Sequence, residues 1–188
     1  ENFLTARSIA EPLSITALAL GLHGRWRLGA FCVLGALLMH PLIAAPAALL
    51  LFAIWLPPHR RFQALIGAGV LTAIILALAT VVPTPPFLPM DDAWLELVRY
   101  RSNFMFIDLW PIEDFDWALL SIVTLLFSAL VHSEPYSRRM FSFAAVVGAT
   151  GLMLTAFVSL VIPIEIIVQG QPWRWMWIAT CLATLSLA

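Results

Sequence analysis

Apolar residues in this chain come in long blocks separated by short polar punctuation, and within the blocks no polar face repeats at helical spacing. The first block covers about 6–22 and carries Arg7, Glu11 and Pro12 in its opening turns. A bilayer span needs about 20 apolar residues, within about 17–25, so this block is long enough. The basic turn His23-Gly24-Arg25-Trp26-Arg27 follows. The next block, 28–56, is too long for one span and is interrupted by His40-Pro41. Proline removes a backbone donor and turns the residue before it away from helix. Two short helices are therefore predicted, over 28–39 and 42–56, hinged at that pair. Pro57-Pro58-His59-Arg60-Arg61 closes the hairpin. Further spans are predicted over about 62–82, 117–131 and 141–162, and a last one after the Trp173-Arg174-Trp175-Met176-Trp177 segment. The pattern predicts an all-α fold: a polytopic transmembrane helical bundle, forming a single transmembrane domain over 1–188, with a broken helical hairpin at His40-Pro41.

The stretch 83–116 reads differently. Pro83, Pro85, Pro86 and Pro89 punctuate it, and it holds seven carboxylates, too many to lie in hydrocarbon. Asp91-Asp92 suits the start of a helix reaching about residue 105, because carboxylates are favoured at the positive end. Trp94, Leu97 and Val98 make an apolar stripe on it, with Asp92, Glu96, Arg99 and Asn103 on another face. That pattern predicts an outer interfacial helix. Trp110, Trp117, Trp173, Trp175 and Trp177 are expected in an aromatic belt at the same headgroup level.

Composition sharpens the membrane reading. Apolar residues are 62% of the chain and charged ones 11%, with a mean hydropathy of +0.94; a soluble domain has about 45–50% and about 25%. All ten basic residues are arginine, and three short turns carry an arginine pair: Arg25/Arg27, Arg60/Arg61 and Arg138/Arg139. Arginine-bearing short loops stay cytoplasmic. All three can do so only if 28–56 enters and returns, which supports the hinge independently. The N-terminus, the His-Pro tip, 83–116 and 163–172 then share the outer face. Acidic outer loops argue against nucleic acid as a partner. Cys32 and Cys181 sit in apolar runs and are expected as free buried thiols. The chain opens at Glu1 and stops at Ala188 inside an apolar run, so a piece of a longer polytopic protein is expected.

Charges within or beside spans are costly and mark functional positions by default. Arg7 and Glu11 stand at i, i+4 on one face near the outer end of the first span. The plain reading is an anchoring ion pair; the functional one sets Arg7 against an anion with Glu11 orienting it. His40 sits at a helix break, where its imidazole serves either a freed carbonyl or a site, since unwound backbone at membrane depth lines cavities. Arg174, after Gln169, Gln171 and Pro172 and among three tryptophans, either snorkels or grips a lipid phosphate through its planar fork of donors. The carboxylates of 91–116 offer oxygen ligands, but a solvated acidic loop is the expected reading, with no metal. No Ser/His/Asp set or phosphate-binding glycine loop is present.

Three segments carry a family resemblance: Thr5-Ala6-Arg7-Ser8-Ile9-Ala10-Glu11-Pro12-Leu13 with the basic turn after it, Leu38-Met39-His40-Pro41-Leu42, and Gln171-Pro172-Trp173-Arg174-Trp175-Met176-Trp177. Together, over about half the chain, they resemble bacterial polytopic membrane proteins of the GT-C glycosyltransferase superfamily. The resemblance implies sugar transfer from a polyprenyl-phosphate-linked donor at the outer face of the bacterial cytoplasmic (inner) membrane, without a cofactor. The topology set by the arginine turns puts Arg7, Glu11, His40 and Arg174 at the outer leaflet, where they are expected to line one outward-opening cavity that binds the lipid-linked substrate; the resemblance leaves the catalytic base unassigned, expected upstream of Glu1. Two other classes stay open. A transporter would use the His40-Pro41 break as its site and should show repeated half-domains; a non-catalytic subunit of a membrane complex would need none of the outer polar residues.

Overall fold

The computed structural model describes residues 5–57, 60 and 88–187. Every regular element among them is helical; the span expected over 62–82 lies outside the described residues. The helices are α1 (Ala6–Leu22), α2 (Trp26–Met39), α3 (Pro41–Trp55), α4 (Asp92–Arg101), α5 (Ile112–Val131), α6 (Pro135–Leu160), α7 (Glu165–Gly170) and α8 (Met176–Ser186), with 3₁₀ turns at Asn103–Met105, Ile107–Leu109 and Pro172–Trp175. The chain divides into two compact units. One holds 1–55, 111–153 and 172–188; the other holds 56–110 and 154–171.

The first unit begins with a three-helix cluster. Thr5 caps α1 by accepting from the Ser8 backbone N–H at 3.4 Å. The turn out of α1 has Gly24 at φ +73°, with Gly24 N–H bonded to Gly21 O (3.0 Å) and Arg25 N–H to Leu20 O (2.8 Å). This paired arrangement satisfies the last carbonyls of the helix and needs glycine's left-handed backbone. It sends α2 back along α1, close enough that a Cβ on Gly29 would stand 2.9 Å from Ala17 O. The break falls where proline chemistry puts it: α2 ends at Met39, His40 is extended, and Pro41 opens α3. Proline suits a first helical position, whose N–H would have no helical partner. The His40 carbonyl accepts from Ile43 N–H and Ala44 N–H, both at 3.1 Å. Ala10 of α1 packs with Ala36, Ile43 and Ala44, so α1 and α3 start at the same end.

Helices α5 and α8 run in the same direction. Ser121 and Thr180 share a hydrogen bond of 3.1 Å, and Ser128 Oγ donates to Ser186 Oγ at 2.8 Å. Such hydroxyl pairs hold apolar helices together at roughly 0.6 kcal/mol each. The first part of α6 returns against α8, with Gly148 beside Met176 and Ala179 and Gly151 beside Pro172 and Trp175. Among the described residues, two helices, α5 and α6, are long and apolar enough to cross a bilayer by length and composition. At about 1.5 Å per residue, α2 and α3, with 14 and 15 residues, fall short of a core of about 30 Å.

Both long helices start earlier than the apolar runs suggest, α5 at Ile112 rather than 117 and α6 at Pro135 rather than 141. Glu113 and Asp114 lie in the first turn of α5, and Glu134 accepts from Ser137 N–H at 2.6 Å at the head of α6. Carboxylates at helix N-termini extend the helix beyond its apolar part.

In the second unit, Met90, Met105, Phe106, Val158 and Val168 form a core, joined by Leu95 and Val98 of α4. Asp91 caps α4 by accepting from Trp94 N–H at 2.9 Å. Leu95 and Val98 of α4 pack on this core, while Trp94 and Leu97 of the apolar stripe stay exposed. The helix ends at Arg101 and a 3₁₀ turn follows, because Arg99 turns to pair with Asp108 and stack on Phe106 at 4.9 Å. Segments 88–90 and 163–165 meet through Met90 N–H to Pro163 O (2.9 Å) and Glu165 N–H to Leu88 O (3.0 Å). The short helix α7 stands where the sequence reads as a loop.

Candidate functional site

The site is assembled at the end of the first unit where α1, α3 and α8 begin. Arg7 lies in the first turn of α1, and its Nε donates to Glu11 Oε1 at 2.5 Å across one helical turn. Both side chains keep contact with the surroundings, Arg7 more than Glu11 (54% and 31% exposed). One turn further, on the same face, Ser14 is fully buried and its hydroxyl has no hydrogen-bond partner.

Arg174 is delivered by the 3₁₀ turn that precedes α8. A Cβ on Gly151 would stand 2.5 Å from Pro172 O and 3.0 Å from Trp175 Cβ. Only glycine lets α6 approach this turn so closely. The Arg174 guanidinium rests over the Trp173 ring at 5.2 Å. Partial burial lowers its hold on its proton, and the positive charge of Arg7 lowers it further. Two arginines 167 positions apart (174 minus 7) are thus within electrostatic reach of each other.

His40 stands at the α2–α3 break, at the same end of the unit. Its Nδ1 is buried without a hydrogen-bond partner. The fold therefore pairs Arg7 with Glu11, sets Arg174 within the influence of the Arg7 charge, and places His40 at their end of the helices. Two grooves open elsewhere in this unit: one between α2 and α3 lined by Trp26, Leu37, Phe52 and Trp55 among others, and one along α1 near His23 and Arg25. Neither is lined by the four candidate residues.

Helix N-termini carry a partial positive charge of about half an elementary unit, which favours anions and disfavours cations. Arg7 lies in the first turn of α1 and Arg174 just before α8, as Arg25 and Arg27 do at the start of α2 and Arg138 and Arg139 at that of α6. At the Arg7 end the charge of Arg7 also acts on Arg174, and gathered positive charge suits an anion. Both arginines present planar forks that match phosphate oxygens.

Among the described residues, no group of three or more His, Cys, Asp or Glu is placed to hold a metal ion. Asp108 is engaged by Arg99 and Asp91 by its helix, which is the capping and pairing use of the acidic segment. Cys32 and Cys181 are free.

One residue escaped the sequence reading. Trp177, expected in an aromatic belt, is turned into the helix cluster instead: its Nε1 donates to Ile43 O at 3.0 Å, and its ring packs with Ala10, Ala36, Ile43 and Ala44. Nothing local in the sequence signals this, because it depends on how α8 is rotated about its axis. No protein-family model, curated protein or solved structure matches the chain.

Proposed function

We propose that this chain is a multi-pass membrane protein of glycosyltransferase type that holds the phosphate of a polyprenyl-phosphate-linked sugar at its Arg7–Arg174 end. The observation that carries the proposal is that the packing of Trp177 against the cluster that holds Ala10 brings the Arg174 turn and the start of α1 to the same end of the unit. In the proposed orientation, the turns with Arg25, Arg27, Arg138 and Arg139 face the cytoplasm of a bacterial cell, and the Arg7–Arg174 end faces the outer side of the cytoplasmic membrane. The apolar medium is supported by what the helices leave uncovered. Leu28, Phe31, Leu34 and Leu38 on α2, and Val123, Phe127 and Leu130 on α5, are all more than half exposed. Apolar patches of that extent are rare against water.

In transfer of the sugar, the acceptor hydroxyl oxygen bonds to the anomeric carbon as its bond to the phosphate oxygen breaks, the hydroxyl proton passes to a carboxylate base, and charge gathers on the departing polyprenyl phosphate. Arg7 and Arg174 stabilise that charge, and Glu11 holds the Arg7 guanidinium in place. His40 contributes a hydrogen bond to donor or acceptor.

The test is binding of polyprenyl monophosphate by the purified protein in lipid nanodiscs, followed by transfer from polyprenyl-phosphate sugars. Replacing Arg7 or Arg174 by Ala should weaken binding by about ten-fold or more, as expected for a lost charge-assisted hydrogen bond. Arg174→Lys should recover only part, because the bidentate fork is lost. Wild-type affinity in both alanine variants defeats the phosphate site. Binding without any transfer leaves a lipid-phosphate binding protein and defeats the enzyme.

A further inference from the structure

We infer that Trp177 is the positioning residue of this site: its indole N–H, bonded to the Ile43 carbonyl, fixes the turn that carries Arg174 against the helix ends that carry Arg7 and His40. The inference rests on the proposed phosphate site for its functional meaning, but its structural content stands separately.

The geometry is specific. Trp177 is three residues after Arg174, at the junction of the 3₁₀ turn and α8. Ile43 is three residues after His40, and its N–H bonds to the His40 carbonyl. The hydrogen bond from Trp177 to Ile43 therefore lies about one turn from Arg174 on one side and one turn from His40 on the other. The ring also packs in the cluster that contains Ala10, one turn from Arg7. A single side chain thus joins α1, the α2–α3 break and the Arg174 turn, across 134 positions of sequence.

The acceptor is a helical carbonyl near the start of α3, three residues before Pro46. Because Trp has few rotatable bonds, holding it in place costs little conformational entropy for the contact area it fills. With the Arg174 turn held at the end of the helices that carries Arg7, a ligand meets groups already positioned rather than ordering them on binding.

The experiment removes the donor and keeps the ring. In a background with Cys32 and Cys181 replaced by Ala, Arg7→Cys and Arg174→Cys are paired, and the rate of their cross-linking by a short bifunctional maleimide is measured with Trp177 and with Trp177→Phe. Trp177→Phe should slow cross-linking by about five-fold, the effect of one lost hydrogen bond. Trp117→Phe, whose ring is 66% exposed on α5, should leave it unchanged. With the arginines restored, Trp177→Phe should weaken polyprenyl monophosphate binding several-fold, and that loss should vanish in an Arg174→Ala background. A cross-linking rate unaffected by Trp177→Phe overturns the inference, as does a binding loss that simply adds to that of Arg174→Ala. Slower cross-linking in a protein that binds no polyprenyl phosphate keeps Trp177 as the positioning residue and defeats the phosphate reading instead.

Discussion

The two ends of the first unit both carry cations, yet they use them in different ways. At one end a guanidinium and two imidazole N–H groups meet the C-termini of helices. Arg138 Nε donates to Ala129 O at 3.2 Å, His132 Nδ1 to Ser128 O at 3.0 Å and His23 Nδ1 to Ala19 O at 2.8 Å. Arg139 rests over Tyr136 at 5.5 Å. These are carbonyls of last turns, where the helix dipole is negative and a cation is stabilising. Both ends also place arginines at helix N-termini: Arg25 caps α2 and Arg138 and Arg139 lie in the first turns of α6, as Arg7 lies in that of α1 and Arg174 just before α8. Counting arginines does not separate an anchor from a site. What the side chain meets does: Arg138 reaches a last-turn carbonyl, whereas Arg7 pairs with Glu11 one turn along its own helix.

The sharpest way to break this comparison is topological, because its outcome is all or none. With Cys32 and Cys181 replaced, Ser8→Cys reports the Arg7 end and Ser137→Cys the Arg138 end. A membrane-impermeant maleimide added to intact cells should label the first and spare the second until the membrane is opened. The reverse pattern inverts the proposed orientation, and labelling of both places the two ends on one side.

The next effect is a change of sign between two glycines. Gly to Ala in a helix interior ordinarily stabilises by about 1 kcal/mol. At Gly35 the new methyl meets only Leu13 Cδ1 at 3.6 Å, an ordinary contact, so Gly35→Ala should raise the melting temperature or leave it unchanged. At Gly151 it meets the Pro172 carbonyl at 2.5 Å. Gly151→Ala should therefore cost about 1–3 kcal/mol through overpacking. It should also reduce polyprenyl phosphate binding by shifting the Arg174 turn. A Gly151→Ala protein as stable as Gly35→Ala contradicts the close approach.

These contrasts also mark what a reader of the sequence can and cannot see. The extent of α1 follows from the apolar run between Thr5 and His23, and the break at His40-Pro41 follows from proline's missing donor; both are local effects. The Arg7–Glu11 pair is likewise visible, because i, i+4 spacing is a property of any helix. Arginine segregation correctly groups Arg25 and Arg27 at the helix ends away from Arg7. The starts of α5 and α6 are misjudged because apolarity was the criterion, whereas Glu113, Asp114 and Glu134 extend those helices by electrostatics. The apolar stripe of α4 is legible from helical spacing, whereas the part that Leu95 plays in the core is not, because it depends on Val158 and Val168 far along the chain. The Trp177–Ile43 bond lies beyond local inference altogether, since it joins elements 134 positions apart.

The smallest effect tests the stabilising end through its one acid. Glu134 precedes α6 and accepts from the backbone N–H groups of Tyr136 and Ser137, which hold its carboxyl below the usual range; Arg139 adds a lesser contribution in the same direction. A folded-state pKa below the unfolded value means that the charged form is favoured by folding. The stabilisation is then fully present above the unfolded pKa of about 4.3 and is lost as pH falls through the lower folded value. Glu134→Gln keeps an acceptor oxygen but removes the charge that favours a helix N-terminus. Its melting temperature should fall slightly below wild type at pH 7, and the gap should close as both proteins are titrated toward pH 3. Because the carboxyl is fully exposed, moderate salt should shrink the gap as well. A gap that persists unchanged at pH 3 would mean that Glu134 acts through packing rather than charge, and the contrast between the two ends would then rest on the arginines alone.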